Sequence, residues 1–200
     1  MPFFTKNQVR DAAARHFNFS VGVLTESLAS TSLQREAKEL PLNFSQTPVL
    51  LFDIFLSHSH LDSILVAGIY GLLTSRGYSV YLDSICDPNL RPNAVNKSTA
   101  RVLRYRIAQC KSLFACTTEN TPLSRWVPWE LGFADGWKDG KVAILPIVDE
   151  QDFAGQEYFE IYPTVKDAGG PAVKPNDLDI WDGSSRIGSW GTWVFGGRRW

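Results

Sequence analysis

Val49-Leu50-Leu51-Phe52-Asp53-Ile54-Phe55-Leu56 is a near-continuous apolar run that ends in the polar Ser57-His58-Ser59-His60. Such a run fits a strand buried on both faces, as in parallel sheets, rather than one that alternates between core and solvent. Asp62 stands where it can cap the next helix, whose apolar positions Leu65, Ile69, Leu72 and Leu73 recur at helical spacing. Gly77 sits where a left-handed residue would stop that helix. Residues 78–82 read as a second strand and 83–92 as a loop with two prolines. A helix is predicted over 96–109, with Val95, Val102, Leu103 and Ile107 inward, and then a third buried strand over 112–118. Lys141-Val142-Ala143-Ile144-Leu145-Pro146-Ile147-Val148 is the fourth. Strands alternating with helices imply right-handed crossovers and an α/β fold, a parallel sheet with helices on both faces.

Between the third and fourth strands lies Leu123-Ser124-Arg125-Trp126-Val127-Pro128-Trp129-Glu130-Leu131-Gly132. Pro128 suits a first helical position, where its missing N–H costs nothing. Trp126 and Glu130 are four residues apart, near one another at the open end of a helix. That end lies beyond the carboxyl edge of a strand, where open α/β sheets bind ligands. A carboxylate beside an indole there suits a sugar or a stacked heteroaromatic ring. The same residues also permit a plainer reading, with Glu130 completing a capping box and Trp126 and Trp129 in the core. Spacing alone favours the plainer reading.

Residues 1–47 read as a helical N-terminal extension. Thr5 is placed to cap a helix through Phe17, with Val9, Ala13 and Phe17 on one face, and a second helix is expected within 20–40, with Thr31 and Gln34 as its capping box. Packing or oligomerisation is the expected role of this segment, and 41–48 reads as a linker. Leu178-Asp179-Ile180-Trp181 is expected as the final short strand. The tail, 183–200, carries five glycines and three of the seven tryptophans. It is expected either to cover the sheet edge with a short helix near 189–194 or to dock another subunit.

The formal net charge of −1 gives no electrostatic signal for nucleic acid or a membrane. Cys86, Cys110 and Cys116 lack metal-ligand spacing, so reduced thiols and a cytoplasmic location are expected, with Cys116 inert in its apolar strand. His58 and His60 lack the further ligands a metal needs, and no metal site is expected.

Four segments in order resemble TIR (Toll/interleukin-1 receptor) domains. Phe52-Asp53-Ile54-Phe55-Leu56-Ser57-His58-Ser59-His60-Leu61-Asp62 resembles the opening strand and Ser-rich loop. The stretch from Tyr78 to Asp83 resembles the second strand with its trailing acid, and 83–94 occupies the place of the BB loop. Ser124-Arg125-Trp126-Val127-Pro128-Trp129-Glu130-Leu131 resembles the Ser-x-Trp-x-x-x-Glu-Leu segment. Gln156-Glu157-Tyr158-Phe159-Glu160-Ile161-Tyr162-Pro163 resembles a stretch of bacterial members. The resemblance covers about 49–165. This chain departs from the family in having no Gly within 83–92 and in carrying Val127 after Trp126 rather than a cysteine.

The resemblance implies a flavodoxin-like TIR fold over 48–182, with about five parallel strands. It also implies cleavage of NAD, as substrate and not cofactor, at the bond between nicotinamide and ribose. Glu130 matches the catalytic glutamate and Trp126 the aromatic that lines the pocket. Phe55 and Ser57 would lie below the nicotinamide, His58 on a loop lining the substrate, and Asp83 over the substrate or against a second protomer. Arg91 is more simply a solvated loop residue than a phosphate ligand. The products would be nicotinamide with ADP-ribose, a cyclic isomer or a conjugate, acting as a signal to a separate effector in bacterial anti-phage defence. Self-association through TIR surfaces is expected. A non-catalytic interaction module and a nucleoside 2-deoxyribosyltransferase-like enzyme, with Glu130 as nucleophile, remain as alternatives. A phosphoacceptor receiver does not fit, because the third strand ends in Cys116-Thr117-Thr118-Glu119 rather than in an Asp.

Overall fold

The computed structural model describes residues 2–36, 49, 51–86, 96–149, 157–168 and 178–196. Its centre is a sheet built around β2 (Phe52–Ser57). In chain order β3 (Val80–Tyr81), β4 (Cys110–Thr117), β5 (Val142–Val148) and β6 (Thr164–Asp167) join it, all parallel, in the spatial order β3-β2-β4-β5-β6. The chain thus steps one way from β2 to β3 and the other way from β3 to β4 and β5. With right-handed crossovers this places α3 (Ser63–Ser75) on one face and α5 (Lys97–Ala108) and α6 (Trp126–Trp137) on the other. It also puts a topological switch point between β2 and β4, where a crevice opens at the carboxyl ends of the strands. Asp53, 1 % exposed within β2, would be costly unpaired; it bonds the Ser79 N–H and hydroxyl and an ion pair to Lys111 at 2.8 Å.

The N-terminal segment is part of the core. Thr5 caps α1 (Lys6–His16) by accepting the Gln8 N–H, as its sequence predicts. Just before it, β1 (Phe4–Thr5) pairs in parallel with β5 at Ile147 and Val148, and the Asp167 N–H donates to the Pro2 carbonyl. Phe4 is fully buried. α1 then lies on α3, and this contact needs the glycines of α3. A Cβ on Gly68 would stand 2.0 Å from the Val9 carbonyl oxygen. Gly68→Ala should therefore destabilise the protein by about 2 kcal/mol or more, because an overlap with backbone outweighs the ~1 kcal/mol of helix propensity gained. A lower urea midpoint at unchanged m value would register it.

Elsewhere the chain departs from its predicted elements. The second helix, α2 (Glu26–Arg35), starts earlier than the expected capping box at Thr31 and Gln34 and is capped by Thr25, which accepts the Leu28 N–H; Thr31 instead donates back to the Ser27 carbonyl. Asp62 occupies the N-cap position of α3, but its carboxylate turns away to accept from the Thr118 hydroxyl and Asn120 amide, both at 2.7 Å. The expected loop at 83 opens with a helical turn, α4 (Asp83–Cys86). Residues 87–95, with Arg91 and Val95, lie outside the described residues, as does all of the 41–48 linker. Residues 157–161 form a 3₁₀ turn.

β7 (Leu178–Asp182) is not the last strand. It runs antiparallel to β6 and turns through Gly183, at φ +54°, into β8 (Ser185–Ser189). α7 (Trp190–Phe195), capped by Ser189, then folds Trp190 and Trp193 into the core, 1 % and 7 % exposed. Among the described residues, no helix is long and apolar enough to cross a membrane.

Candidate active site

The crevice at the switch point holds a pocket of about 180 Å³. Its floor comes from β2, where Phe55 is 2 % exposed and stacks on buried Tyr81 of β3 at 4.9 Å. One wall is the start of α6. That helix begins at Trp126, so Pro128 is its third residue rather than its first, still inside the turn whose N–H groups lack helical partners. Glu130 is then the fifth residue, beyond a capping-box position. Its side chain crosses to β2, where the Ser57 hydroxyl donates to Oε2 at 2.5 Å. Trp126 lines the pocket half-buried, set edge-on to Trp129 at 5.3 Å.

The electrostatics centre on Glu130, which is only 6 % exposed. Burial pushes its carboxyl up from the ordinary 4.5 to about 8; the Ser57 hydrogen bond pulls the other way, and the negative charge of Asp83 adds to the rise. A carboxyl so perturbed in a cleft marks a functional candidate. Asp83, at the start of α4, also faces His58: its Oδ1 lies 3.7 Å from Nε2, while Nδ1 of the same ring is 3.1 Å from the Leu56 carbonyl. Phe55, His58, Asp83, Trp126 and Glu130 therefore share one pocket, and Ser57 stands behind Glu130. Among the described residues no group of three or more His, Cys, Asp or Glu side chains is placed to hold a metal. Burial pushes the Cys116 thiol upward, away from reactivity.

Sequence reasoning missed one wall. Ser30, Leu33 and Gln34 of α2 line the pocket, brought there because α2 packs on α3 and α4. Thr99 and Leu103 of α5 and His60 of the loop after β2 complete it. Nothing in the spacing of α2 points to a ligand; its Thr25 cap and apolar positions signal only an amphipathic helix.

No family model matches the chain. Over 189 residues it is 38 % identical to the Bacillus cereus (strain MSX-D12) protein named "Probable 3' cyclic ADP-D-ribose synthase ThsB'", across 93 % of each chain. It is also 27 % identical over 143 residues to the Cytobacillus dafuensis protein named "Putative cyclic ADP-D-ribose synthase TIR2", covering 64 % of this chain and 38 % of that one. The chain belongs to the TIR-domain family. The expected flavodoxin-like order is the one observed, β3-β2-β4-β5-β6, and the antiparallel β7–β8 hairpin extends this TIR sheet beyond the five parallel strands. The B. cereus alignment is wide enough to take in most of the N-terminal segment along with the sheet.

Proposed function

We propose that this TIR-domain protein cleaves NAD between nicotinamide and ribose and closes the ADP-ribose moiety into a cyclic isomer, a signal in bacterial anti-phage defence. The observation that carries the reading is Glu130, a buried carboxylate at the switch-point crevice, held by Ser57 beside a half-buried indole. The names of both relatives support the cyclase product.

Cleavage of the N-glycosidic bond builds positive charge on the ribose, and a fixed carboxylate in a low-dielectric pocket stabilises it more than water does. Nicotinamide leaves neutral, its ring nitrogen taking the bonding electron pair, so the leaving group needs no acid. Glu130 is the group for the ribose, Trp126 and Phe55 bound the ring, and Ser57 fixes the carboxylate. The pocket is below the ~300–1,000 Å³ typical of sites that enclose a drug-sized ligand, so it takes the nicotinamide riboside end of NAD and leaves the adenosine end outside. Self-association would bring further contacts there.

The purified protein, incubated with NAD, should release nicotinamide and a product of ADP-ribose mass less water, separable from linear ADP-ribose by chromatography. Linear ADP-ribose alone would sink the cyclase reading. With Glu130 near 8 and its ionised form the active one, kcat/KM for nicotinamide release should climb with pH and level off above about 8. A profile flat from pH 6 to 9 would contradict that assignment.

A further inference from the structure

α6 buries Val127, Leu131 and Ala134 and turns a second apolar stripe outward. Along that stripe Trp129 stacks on Phe133 at 5.7 Å and Phe133 on Trp137 at 6.0 Å, each pair close to parallel, and Trp137 is 58 % exposed. Rings in an exposed row mark a recognition surface, unlike the single apolar residues scattered over every protein. The gaps in the stripe are Gly132 and Gly136, both exposed. Glycine weakens a helix, and the close packing within the chain that accounts for Gly68 accounts for neither of these: beyond its own helix, a Cβ on either would meet no described atom within 4 Å. The stripe carries opposite charges at its two ends, with exposed Arg125 just before the helix and exposed Asp139 just after it.

We propose that the occupant of this face is α6 of a second copy of the chain, packed antiparallel about a twofold axis that passes between residues 132 and 133. At about 3.6 residues per turn, Arg125, Trp129, Gly132, Phe133 and Gly136 fall on one side of the helix. Antiparallel pairing about that axis seats the Trp129 indole of each copy over Gly136 of the other. The two Gly132 backbones meet on one side of the axis and the two Phe133 rings on the other. Arg125 of each copy comes to the Asp139 end of the other, and the helix dipoles oppose one another favourably. Parallel pairing would instead set Arg125 against Arg125 and Trp129 against Trp129, with no glycine to receive either ring. A surface complementary to itself in shape and in charge is what a twofold dimer requires. One pair of 12-residue helices is a small interface, so the dimer should dissociate in about the micromolar range. The same register brings Trp137 of each copy toward the Trp126 end of the other, at the rim of the pocket.

Sedimentation velocity on the full chain without substrate, from about 1 to 200 µM, should show monomer giving way to dimer. Gly136→Leu has room within its own protomer and gains helix propensity, so its Tm should hold or rise; it fills the seat of Trp129 from the other copy, and dimerisation should weaken by roughly 30-fold or more. Arg125→Asp sets like charges together and should weaken the dimer by about tenfold, while Arg125→Asp combined with Asp139→Arg should return it to within about threefold of wild type. A chain that stays monomeric at ~200 µM would leave this face to a different partner and overturn the proposal. Dimerisation unchanged in folded Gly136→Leu would place the contact elsewhere and overturn it too, as would a folded double reversal that dimerises no better than Arg125→Asp alone. No substrate enters the measurement, so its outcome and that of the NAD-cleaving reading are separate.

Discussion

Glu130→Gln should abolish nicotinamide release from NAD and, above pH 8, make the protein harder to melt. The first effect follows from charge: the amide keeps the shape and still accepts from Ser57, but brings no negative charge to the ribose. Removing one preorganised stabilising group from a closed site typically costs about 10²–10³-fold in kcat, and here it is the one carboxylate lining the pocket from α6. The second effect follows from burial. The Glu130 carboxyl sits at about 8 in the folded protein against an ordinary 4.5, so the folded state holds its proton more tightly than the unfolded chain. Stability from that proton is fully present below about 4.5 and is lost as pH rises to about 8. Above that, wild type carries the whole cost of a buried carboxylate, on the order of a few kcal/mol, which the amide avoids. Tm measured for both proteins should differ most at pH 9 and converge toward pH 4.5. Lost activity with a pH-independent Tm difference would mean that Glu130 is not the buried acid described here.

Trp190→Ala is expected to be the most damaging core substitution for stability. The indole is 1 % exposed, edge-on to Tyr78 at 5.1 Å and to Phe195 at 6.2 Å. Its N–H donates to the Ser112 hydroxyl at 3.1 Å, and that hydroxyl donates to the Asp53 carbonyl at 3.0 Å. One side chain thus ties the tail to β4 and, through it, to β2. Emptying such a site costs about 3–5 kcal/mol, or roughly 10 °C in Tm for a chain of this size. Trp190→Phe should recover much of the loss, because it refills most of the volume and leaves Ser112 bonded to Asp53. A shift of only about 1–2 °C for the alanine variant would show that the tail contributes little to the folded core.

What the sequence determined by itself is the part carried by local periodicity. The apolar runs at 49–56, 112–118 and 141–148 supply β2, β4 and β5, and the cap at Thr5 and the stop at Gly77 fall where their chemistry demands. From that alternation the switch point follows, and with it the placement of Trp126 and Glu130 beyond a strand end. What only the tertiary structure decided is what contacts distant in sequence determine. Asp62 could cap its helix, yet half-buried hydroxyl and amide donors 56 and 58 residues away claim the buried carboxylate instead. Ser57 meets Glu130 across 73 residues. Strand β8 has too little apolar alternation to stand out, and exists because β7 offers it an edge. α2 becomes a wall of the pocket only because α3 and α4 give its apolar face somewhere to go. Periodicity reports which face of an element is buried; which neighbour it is buried against, and so which side chains share a pocket, is settled by packing.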